Sequence, residues 1–335
     1  MVTSEAFDGA VQSAAKQITQ KQSMSGDILA LRIPDRFYIL LLSILFAAAA
    51  GMQDAGAAAF NTVVDPTGRT VRVPVAPRRV VALAPNVTEI VYSLNQAHRL
   101  VGVSSFSTYP PAARHLPTIG SYINPDVERI VALQPDLCIA IKDGNPIAVV
   151  EQLQSIGVPV FAIDPRNLET IMQSVQAIGD LLDAGPHADA VVGDMRRRIA
   201  RVQARISGIT HRPKVFFQIG ISPIVSVGSK TFIHTLIEMA GGVNVTAGPT
   251  PYPRYSREQV IVLAPEVIVI SSMERTALFE QVKAEWMQWP AIAAVKNGAI
   301  FIAPPDLFDR PSPRLVDALE LLAAFIHPET SAERP

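Results

Sequence analysis

The chain has little of what marks an enzyme or a nucleic-acid-binding protein. Its one cysteine, Cys138, lies in an apolar run, which predicts a small core side chain rather than a nucleophile or a disulfide partner. It contains no G-x-S-x-G elbow, no phosphate-binding loop and no dinucleotide glycine pattern. With 29 Lys and Arg against 30 Asp and Glu, it has no basic excess. The composition therefore argues against catalysis and against a nucleic-acid partner.

Metal-binding patterns are missing as well. The six histidines are scattered along the chain, without the short spacing or the adjoining acids that a transition-metal site needs. We therefore predict no catalytic residues, no metal site and no cofactor.

Long apolar runs are scarce, and one stands at the N-terminus. Residues 37–50 read FYILLLSILFAAAA after Arg32 and Arg36. A membrane span needs about 20 apolar residues, so this shorter run fits the core of a signal peptide, with an A-x-A cleavage site at residues 57–59. We assign residues 1–59 to a signal region. Translation from Met24 is an alternative start, and an uncleaved membrane anchor is the alternative to cleavage; either one places the rest of the chain outside the cytoplasm.

Short β-rich runs alternate with helical segments from Arg78 onward. Runs at 80–83, 136–141 and 158–163 are typical of buried strands, and the pattern resumes at 214–218, 267–270 and 299–302. Helical spacing fills the segments between them, for example 86–94 and 148–156. This alternation predicts parallel sheets in an α/β fold.

A helical stretch separates the two halves. Asn167 can cap a helix over 168–182, and a second helix from about Pro186 to Ile206 would span about 30 Å. We predict two Rossmann-like α/β lobes with central sheets, residues 60–166 and 209–335. A helical linker at 167–208 joins them through one long α-helix, whose stiffness would allow only modest closure between the lobes.

An internal repeat supports two lobes of like construction. Residues 128–140, ERIVALQPDLCIA, align with 258–270, EQVIVLAPEVIVI. Each copy predicts a short helix, a proline turn and a buried strand. The repeat places Glu128 and Glu258 at equivalent positions, one on each lobe. An acid in a first turn is also favoured by the helix dipole, so stabilisation of the helix start is the alternative role for both residues.

Tyrosines cluster in Pro- and Gly-rich loops near the two repeat glutamates. They are Tyr109, Tyr122, Tyr252 and Tyr255. Rings on loops of a rigid α/β scaffold are suited to a bulky ligand, although they can also simply fix the loop. The segment 304–314, PPDLFDRPSPR, follows a strand, at the sheet edge where open α/β sheets bind ligands. Its charged residues would either form structural salt bridges or offer hydrogen bonds to a polar ligand.

These segments carry a family resemblance. Residues 103–111, 128–136, 217–223, 256–260 and 306–314 resemble the cobalamin-binding periplasmic proteins of ABC importers, which belong to the class III substrate-binding proteins. The wider group also carries haem and iron siderophores. The resemblance covers nearly all of residues 69–327, and its family fold of two α/β lobes with one connecting helix agrees with the independent prediction.

The resemblance implies a function and a set of sites. It implies a monomeric periplasmic receptor that captures a corrinoid, such as cobalamin, between its lobes and delivers it to a permease dimer. Glu128 and Glu258 would dock onto arginines of the two permease subunits. The implied ligand contacts are Phe106, Tyr122, Tyr252, Asp306, Phe308 and Arg310.

The chain departs from the cobalamin binders in the aromatic content of its cleft. Those proteins have tryptophan where this chain has Tyr122 and Tyr252, and further rings where it has Ile141, Ile219 and Val225. A smaller corrinoid or another tetrapyrrole therefore stays open as ligand. The main alternative is a ferric siderophore or haem receptor of the same class, and a remote alternative is a secreted enzyme.

Overall fold

The computed structural model describes residues 59–271 and 278–330. The predicted signal region lies outside these residues, apart from Ala59. None of the helices within them has both the length and the apolar character needed to cross a membrane.

The first half of the described chain contains a four-stranded parallel sheet. Its elements are β1 (Phe60–Val64), β2 (Thr70–Pro74), β3 (Val80–Ala82), α1 (Pro85–Ser93), β4 (Leu100–Val103), β5 (Gly120–Ser121), β6 (Asn124–Pro125), α2 (Val127–Ala132), β7 (Leu137–Ile141), α3 (Ile147–Ser155) and β8 (Val160–Ile163). The sheet has the order β4-β3-β7-β8, and all its neighbours pair in parallel. The strands predicted at 80–83, 136–141 and 158–163 are confirmed.

Two long helices follow, α4 (Leu168–Leu181) and α5 (Gly185–Ile206). Asn167 caps α4 as predicted, because its side chain accepts a hydrogen bond from the Thr170 N–H while the Thr170 hydroxyl accepts one from the Asn167 N–H.

The second half repeats the first. It contains β9 (Lys214–Gln218), β10 (Ile224–Val225), α6 (Phe232–Met239), β11 (Val243–Asn244), β12 (Arg254–Tyr255), α7 (Arg257–Leu263), β13 (Val267–Ile270), α8 (Phe279–Met287), α9 (Ala293–Lys296), β14 (Ile300–Ile302), α10 (Pro305–Phe308) and α11 (Leu315–Ile326). The order of its parallel sheet, β11-β9-β13-β14, matches that of the first sheet strand for strand. The predicted α/β fold with two lobes is therefore confirmed.

The sequence repeat folds the same way in both copies. The Asp126 carboxylate caps α2 and the Ser256 hydroxyl caps α7, each accepting a hydrogen bond from the backbone N–H three residues on. Glu128 and Glu258 occupy the second position of these helices, so each helix begins one residue before its glutamate.

The acid after each repeat proline ties two strands together. The Asp136 carboxylate accepts hydrogen bonds from the backbone N–H of Arg78 at 2.7 Å and of Arg79 at 3.0 Å, just before β3. The Glu266 carboxylate accepts one from the backbone N–H of Lys214 at 2.9 Å, at the start of β9. Each acid thus fixes the segment before its own strand to the neighbouring strand of the parallel sheet, β3 in the first half and β9 in the second.

Three strand pairings were not predicted; in two of them the strands have only two residues, too few for a periodic sequence pattern. They include the pairs β5–β6 and β10–β12, and a hairpin of β1 and β2. Asp65 stabilises the hairpin: its buried carboxylate binds Arg69 at 2.7 Å and accepts the backbone N–H of Ala162 in β8.

Helix α5 is the predicted connecting helix, and its 22 residues span roughly 33 Å. It packs on α4 and α11, and one continuous core includes buried residues of all three helices and of both sheets. Arg198 of α5 binds the carboxylates of Asp317 and Glu320 on α11, each at 2.5 Å. The connecting helix is therefore held along its length, and limited closure between the lobes stays a prediction.

Candidate functional site

A cavity of about 860 Å³ lies at the carboxyl ends of strands from both sheets. Its wall includes Pro85 and Asn86 after β3, Ile141 at the end of β7, and Arg166 after β8. The opposite wall includes residues 304–306, which follow β14. Open α/β sheets bind ligands at the carboxyl ends of their parallel strands. Five prolines among the lining residues restrict the backbone on both sides of the cavity.

Two predicted ligand contacts form an aromatic pair on the first-lobe wall. The rings of Phe106 and Tyr122 meet edge to face, with centroids 5.6 Å apart. Phe106 is 43% exposed, and the buried hydroxyls of Thr88, Ser104 and Ser107 hydrogen-bond to one another beneath its loop. The loop is thus ordered while the ring stays available to a ligand.

Asn145 holds the Tyr122 loop against the sheet. Its side-chain amide donates to the carbonyl oxygens of Tyr122 at 2.7 Å and Leu83 at 3.0 Å, and it accepts the backbone N–H of Ile141 at 2.8 Å. All three hydrogen bonds fix backbone at the end of the first sheet. Asn145 is therefore a supporting residue that the sequence analysis missed.

Tyr252 lies on the opposite wall and is 57% exposed. Its loop packs on Gly228, whose N–H donates to the carbonyl of Pro251 at 2.7 Å. A Cβ at Gly228 would lie 1.9 Å from the carbonyl oxygen of Thr250, so this close approach requires glycine. Burial raises the pKa of the Tyr252 phenol, and the nearby carboxylates of Asp309 and Asp143 raise it further.

Arg310 is the most connected side chain on the cavity wall. Its guanidinium binds Asp306 at 2.7 Å and Glu89 at 3.1 Å, and donates to the Thr108 hydroxyl at 2.9 Å. Glu89 and Thr108 belong to the first lobe, whereas Arg310 and Asp306 belong to the second. A cavity-lining arginine therefore bridges the two lobes.

Glu89 forms the centre of this bridge. Its side chain is 2% exposed, and its carboxylate also accepts the Ser312 hydroxyl at 2.5 Å and binds Arg314 at 3.4 Å. Desolvation raises the pKa of the Glu89 carboxyl, against the lowering influence of Ser312, Arg310 and Arg314. Glu89 was not predicted as a site residue, although an acid among the apolar residues Val87, Ile90 and Val91 was a usable signal.

Asp309 is also on the wall and has an unusual setting. One carboxylate oxygen, Oδ2, is sealed from solvent and has no hydrogen-bond partner among the described residues. Burial raises the pKa of Asp309 to about 7, with a further contribution from Asp306 and an opposing one from Arg310. Near neutral pH this carboxyl group therefore exists in both protonation states.

We expect this raised pKa to make stability fall as pH rises from about 4 to about 7. The folded protein binds the Asp309 proton up to about pH 7, whereas the unfolded chain releases it near 3.8. The contribution of Asp309 to the free energy of unfolding is therefore lower above neutrality than at acid pH, by up to about 4 kcal/mol. Asp309→Asn should raise the Tm at pH 8 and flatten the dependence of Tm on pH between 5 and 8. A variant whose Tm profile parallels that of the native protein would contradict this assignment.

Phe308 is placed differently from the other predicted contacts. Five of the six, Phe106, Tyr122, Tyr252, Asp306 and Arg310, line the cavity. Phe308 is fully buried and packs on Phe217 with ring centroids 5.3 Å apart. Asp306 on helix α10 and Arg310 just after it line the cavity, whereas the Phe308 ring between them in sequence points into the core. Phe308 therefore packs in the core beneath the cavity wall, and its predicted role as a ligand contact is wrong.

The two repeat glutamates lie away from the cavity lining. Both are exposed, and neither forms an ion pair within the part of the chain that the structure describes. A hydrogen bond from Ser256 lowers the pKa of the Glu258 carboxyl, which keeps it ionised. Two exposed carboxylates at equivalent positions on the two lobes stay available to a partner.

Comparison with known proteins places the chain in a family. The model of the family described as "Periplasmic binding protein" matches residues 80–307. The chain belongs to the periplasmic binding protein family. A vitamin B12-binding protein from Photorhabdus laumondii is 33% identical over 248 residues, which cover 74% of this chain and 87% of the relative. One from Vibrio parahaemolyticus is 33% identical over 243 residues, covering 72% and 86%.

Solved structures show the same fold. The periplasmic vitamin B12-binding protein of Vibrio cholerae aligns with a TM-score of 0.67 and 28% identity, covering 78% of this chain and all of that chain. A periplasmic haem-binding protein from Pseudomonas aeruginosa aligns with a TM-score of 0.69 and 26% identity, covering 76% and 94%. The resemblance to cobalamin-binding periplasmic proteins is thereby confirmed for this family member.

Proposed function

We propose that the protein is the periplasmic substrate-binding component of an ABC importer and captures a corrinoid, cobalamin or a related compound, in the cavity between its lobes. The curated relatives named as vitamin B12-binding proteins support this proposal over most of their length. The cavity supports it in size, because 860 Å³ lies near the upper end of the usual range for ligand sites. A ligand with large apolar faces fits the ring surfaces of Phe106, Tyr122 and Tyr252.

The charge arrangement of the cavity carries the choice of a corrinoid. Both lining arginines are already paired with carboxylates: Arg310 with Asp306 and Glu89, and Arg166 with Asp164 at 2.8 Å. The acids Asp143 and Asp309 also line the cavity. Such a surface can form hydrogen bonds with neutral amides, and a corrinoid bears amides around its ring. It offers little uncompensated positive charge to an anionic ligand.

Haem is the second candidate, favoured by the Pseudomonas aeruginosa neighbour and by the tyrosines on the wall. Its carboxylates would need cations, and Lys230 is the lining cation without an ion pair in the described residues. A visible spectrum after incubation with excess haem separates the candidates. We expect no bound haem band after gel filtration, whereas a stoichiometric band would reassign the ligand.

We expect Tyr252→Ala to weaken cobinamide binding about tenfold, because a desolvated ring at a binding surface contributes on the order of 1–2 kcal/mol. Tyr252→Phe retains the ring and should bind within about threefold of the native protein. Calorimetric titration of both variants checks the prediction. Native-like affinity of the alanine variant would show that the ring does not contact the ligand.

The permease is the proposed partner. Glu128 and Glu258 present one exposed carboxylate per lobe, which suits a partner with two equivalent basic pockets. Charge complementarity of this kind steers association and fixes its register. The protein itself is proposed to act as a monomer without a cofactor.

A further inference from the structure

We propose that Glu89, which does not line the cavity, is a positioning residue for ligand binding: it orients the ligand-facing guanidinium of Arg310 from the opposite lobe. This inference rests on the proposed function for its ligand and on the structure for its geometry. It adds to the binding site a residue from the centre of helix α1.

Glu89 and Arg310 form a buried ion pair. The side chain of Glu89 is 2% exposed and that of Arg310 is 10% exposed. Charges so far removed from water interact strongly and are held in fixed geometry by their hydrogen bonds. Of the two carboxylates that bind Arg310, Glu89 is the buried one and Asp306 is half-exposed, so Glu89 is the partner with the fixed position.

The two arginines that contact Glu89 have different surroundings. Arg310 faces the cavity, whereas Arg314 stacks on the ring of Tyr109 at 3.6 Å and is not part of the cavity lining. Both contact the same oxygen of Glu89, at 3.1 Å and 3.4 Å. Glu89 thus separates the two guanidinium groups and directs one of them to the ligand.

Asp306 is the other acidic partner of Arg310. Asp306 lies four residues away on the same segment and is half-exposed on the cavity wall. Without Glu89, the Arg310 guanidinium is left with Asp306 and Thr108 as its partners in this structure. Asp306 is half-exposed, so a guanidinium held by it and by Thr108 alone would lose its fixed orientation toward the ligand.

The same contacts hold the lobes in register. The carbonyl of Pro311 accepts a hydrogen bond from the Asn86 side chain, and Ser312 donates to Glu89. The segment between Arg310 and Arg314 is therefore fastened to α1 at adjacent points. Loss of Glu89 should loosen this joint as well as release Arg310.

A double-mutant cycle on the purified protein tests the proposal with cobinamide as the probe. We expect Glu89→Gln and Arg310→Met each to weaken binding by at least tenfold, and the double variant E89Q/R310M to bind no more weakly than R310M. Such non-additivity is the mark of one residue acting through another. If each substitution instead weakened binding through a separate structural defect, the double variant would lose affinity by the product of the two single-variant factors.

Matched controls separate positioning from stability. Asp65→Asn removes a buried carboxylate of the same lobe that pairs locally with Arg69, so it should lower the Tm and leave affinity within twofold. Arg314→Met leaves Arg310 on Glu89 and should bind within threefold of native. If E89Q yields no folded protein, Glu89→Asp serves in the same cycle. Native-like affinity of the Glu89 variant, or multiplied losses in the double variant, would overturn the proposal.

A second readout needs no ligand and stands even if the native protein binds no corrinoid. Spin labels at Q152C on α3 and N297C after α9 report the distance between lobes. Cys138 is fully buried and its pKa is raised to about 12, so it should escape labelling. We expect E89Q to broaden the distance distribution relative to native protein and to D65N. An unchanged distribution would contradict the interlobe role of Glu89, whereas failed corrinoid binding by native protein alone would contradict only the proposed ligand.

Discussion

Replacing Glu128 and Glu258 together with alanine should abolish uptake and leave ligand binding unchanged. Both carboxylates are exposed on short helices outside the cavity lining, so their removal changes neither the core nor the ligand wall. Their proposed role is to meet basic pockets on two permease subunits, where truncating one partner of a charge pair that docking buries costs about 2–5 kcal/mol per site. We expect transport of labelled cyanocobalamin to fall at least a hundredfold in cells that carry the cognate transporter.

The matched control removes two other exposed acids, one from each half of the chain. Glu151 on α3 and Glu280 on α8 are exposed and lie outside the repeat. The variant E151A/E280A should transport normally, and each single variant of Glu128 or Glu258 should retain intermediate transport. Normal uptake by E128A/E258A would refute docking through these acids, and loss of its calorimetric binding signal would show that they act on the cleft instead.

Arg310→Met should be the most destabilising change in the cavity wall. It leaves the buried Glu89 carboxylate with the more distant Arg314 and with Ser312. Breaking a buried ion pair costs about 3 kcal/mol or more, which corresponds to a Tm lower by roughly 6–12 °C for a chain of this size. Because the unpaired Glu89 carboxyl would take up a proton more readily, the loss should be larger at pH 8 than at pH 5.

Arg198→Met is the control for that experiment. Arg198 also binds two carboxylates between elements far apart in sequence, but Asp317 and Glu320 are 40% and 36% exposed. Water can therefore solvate those acids when the arginine is removed, and we expect a loss within about 1 kcal/mol. Thermal melts of both variants at pH 5 and pH 8 check the difference. Equal losses would show that burial of Glu89 does not dominate the energetics of the wall.

The architecture was predictable because its signals are local. Each buried strand appears as a short apolar run, and α5 appears as a long amphipathic segment between proline and glycine. The repeat was the strongest signal: Asp136 and Glu266 occupy matching positions and make matching contacts at the starts of β3 and β9. The hairpin of β1 and β2 was missed because its strands are short and mostly exposed.

The binding cavity was predictable only in part, for a physical reason. Rings and charged residues in segments that follow strands could be found by sequence, and five such residues do line the cavity. The contacts of Glu89 with Arg310 and Ser312 join residues 221 and 223 positions apart, which no local pattern shows. Phe308 was misplaced because the side of a four-residue helix that faces the core depends on packing rather than on spacing.

Calorimetric titration of the purified protein with cyanocobalamin and with cobinamide tests the central claim most directly. We predict one-to-one binding of at least one of them. The preference between them would show whether Tyr122 and Tyr252 select a smaller corrinoid. Absence of heat with both ligands, from protein that melts cooperatively, would contradict the corrinoid assignment and leave a receptor for another ligand of this family.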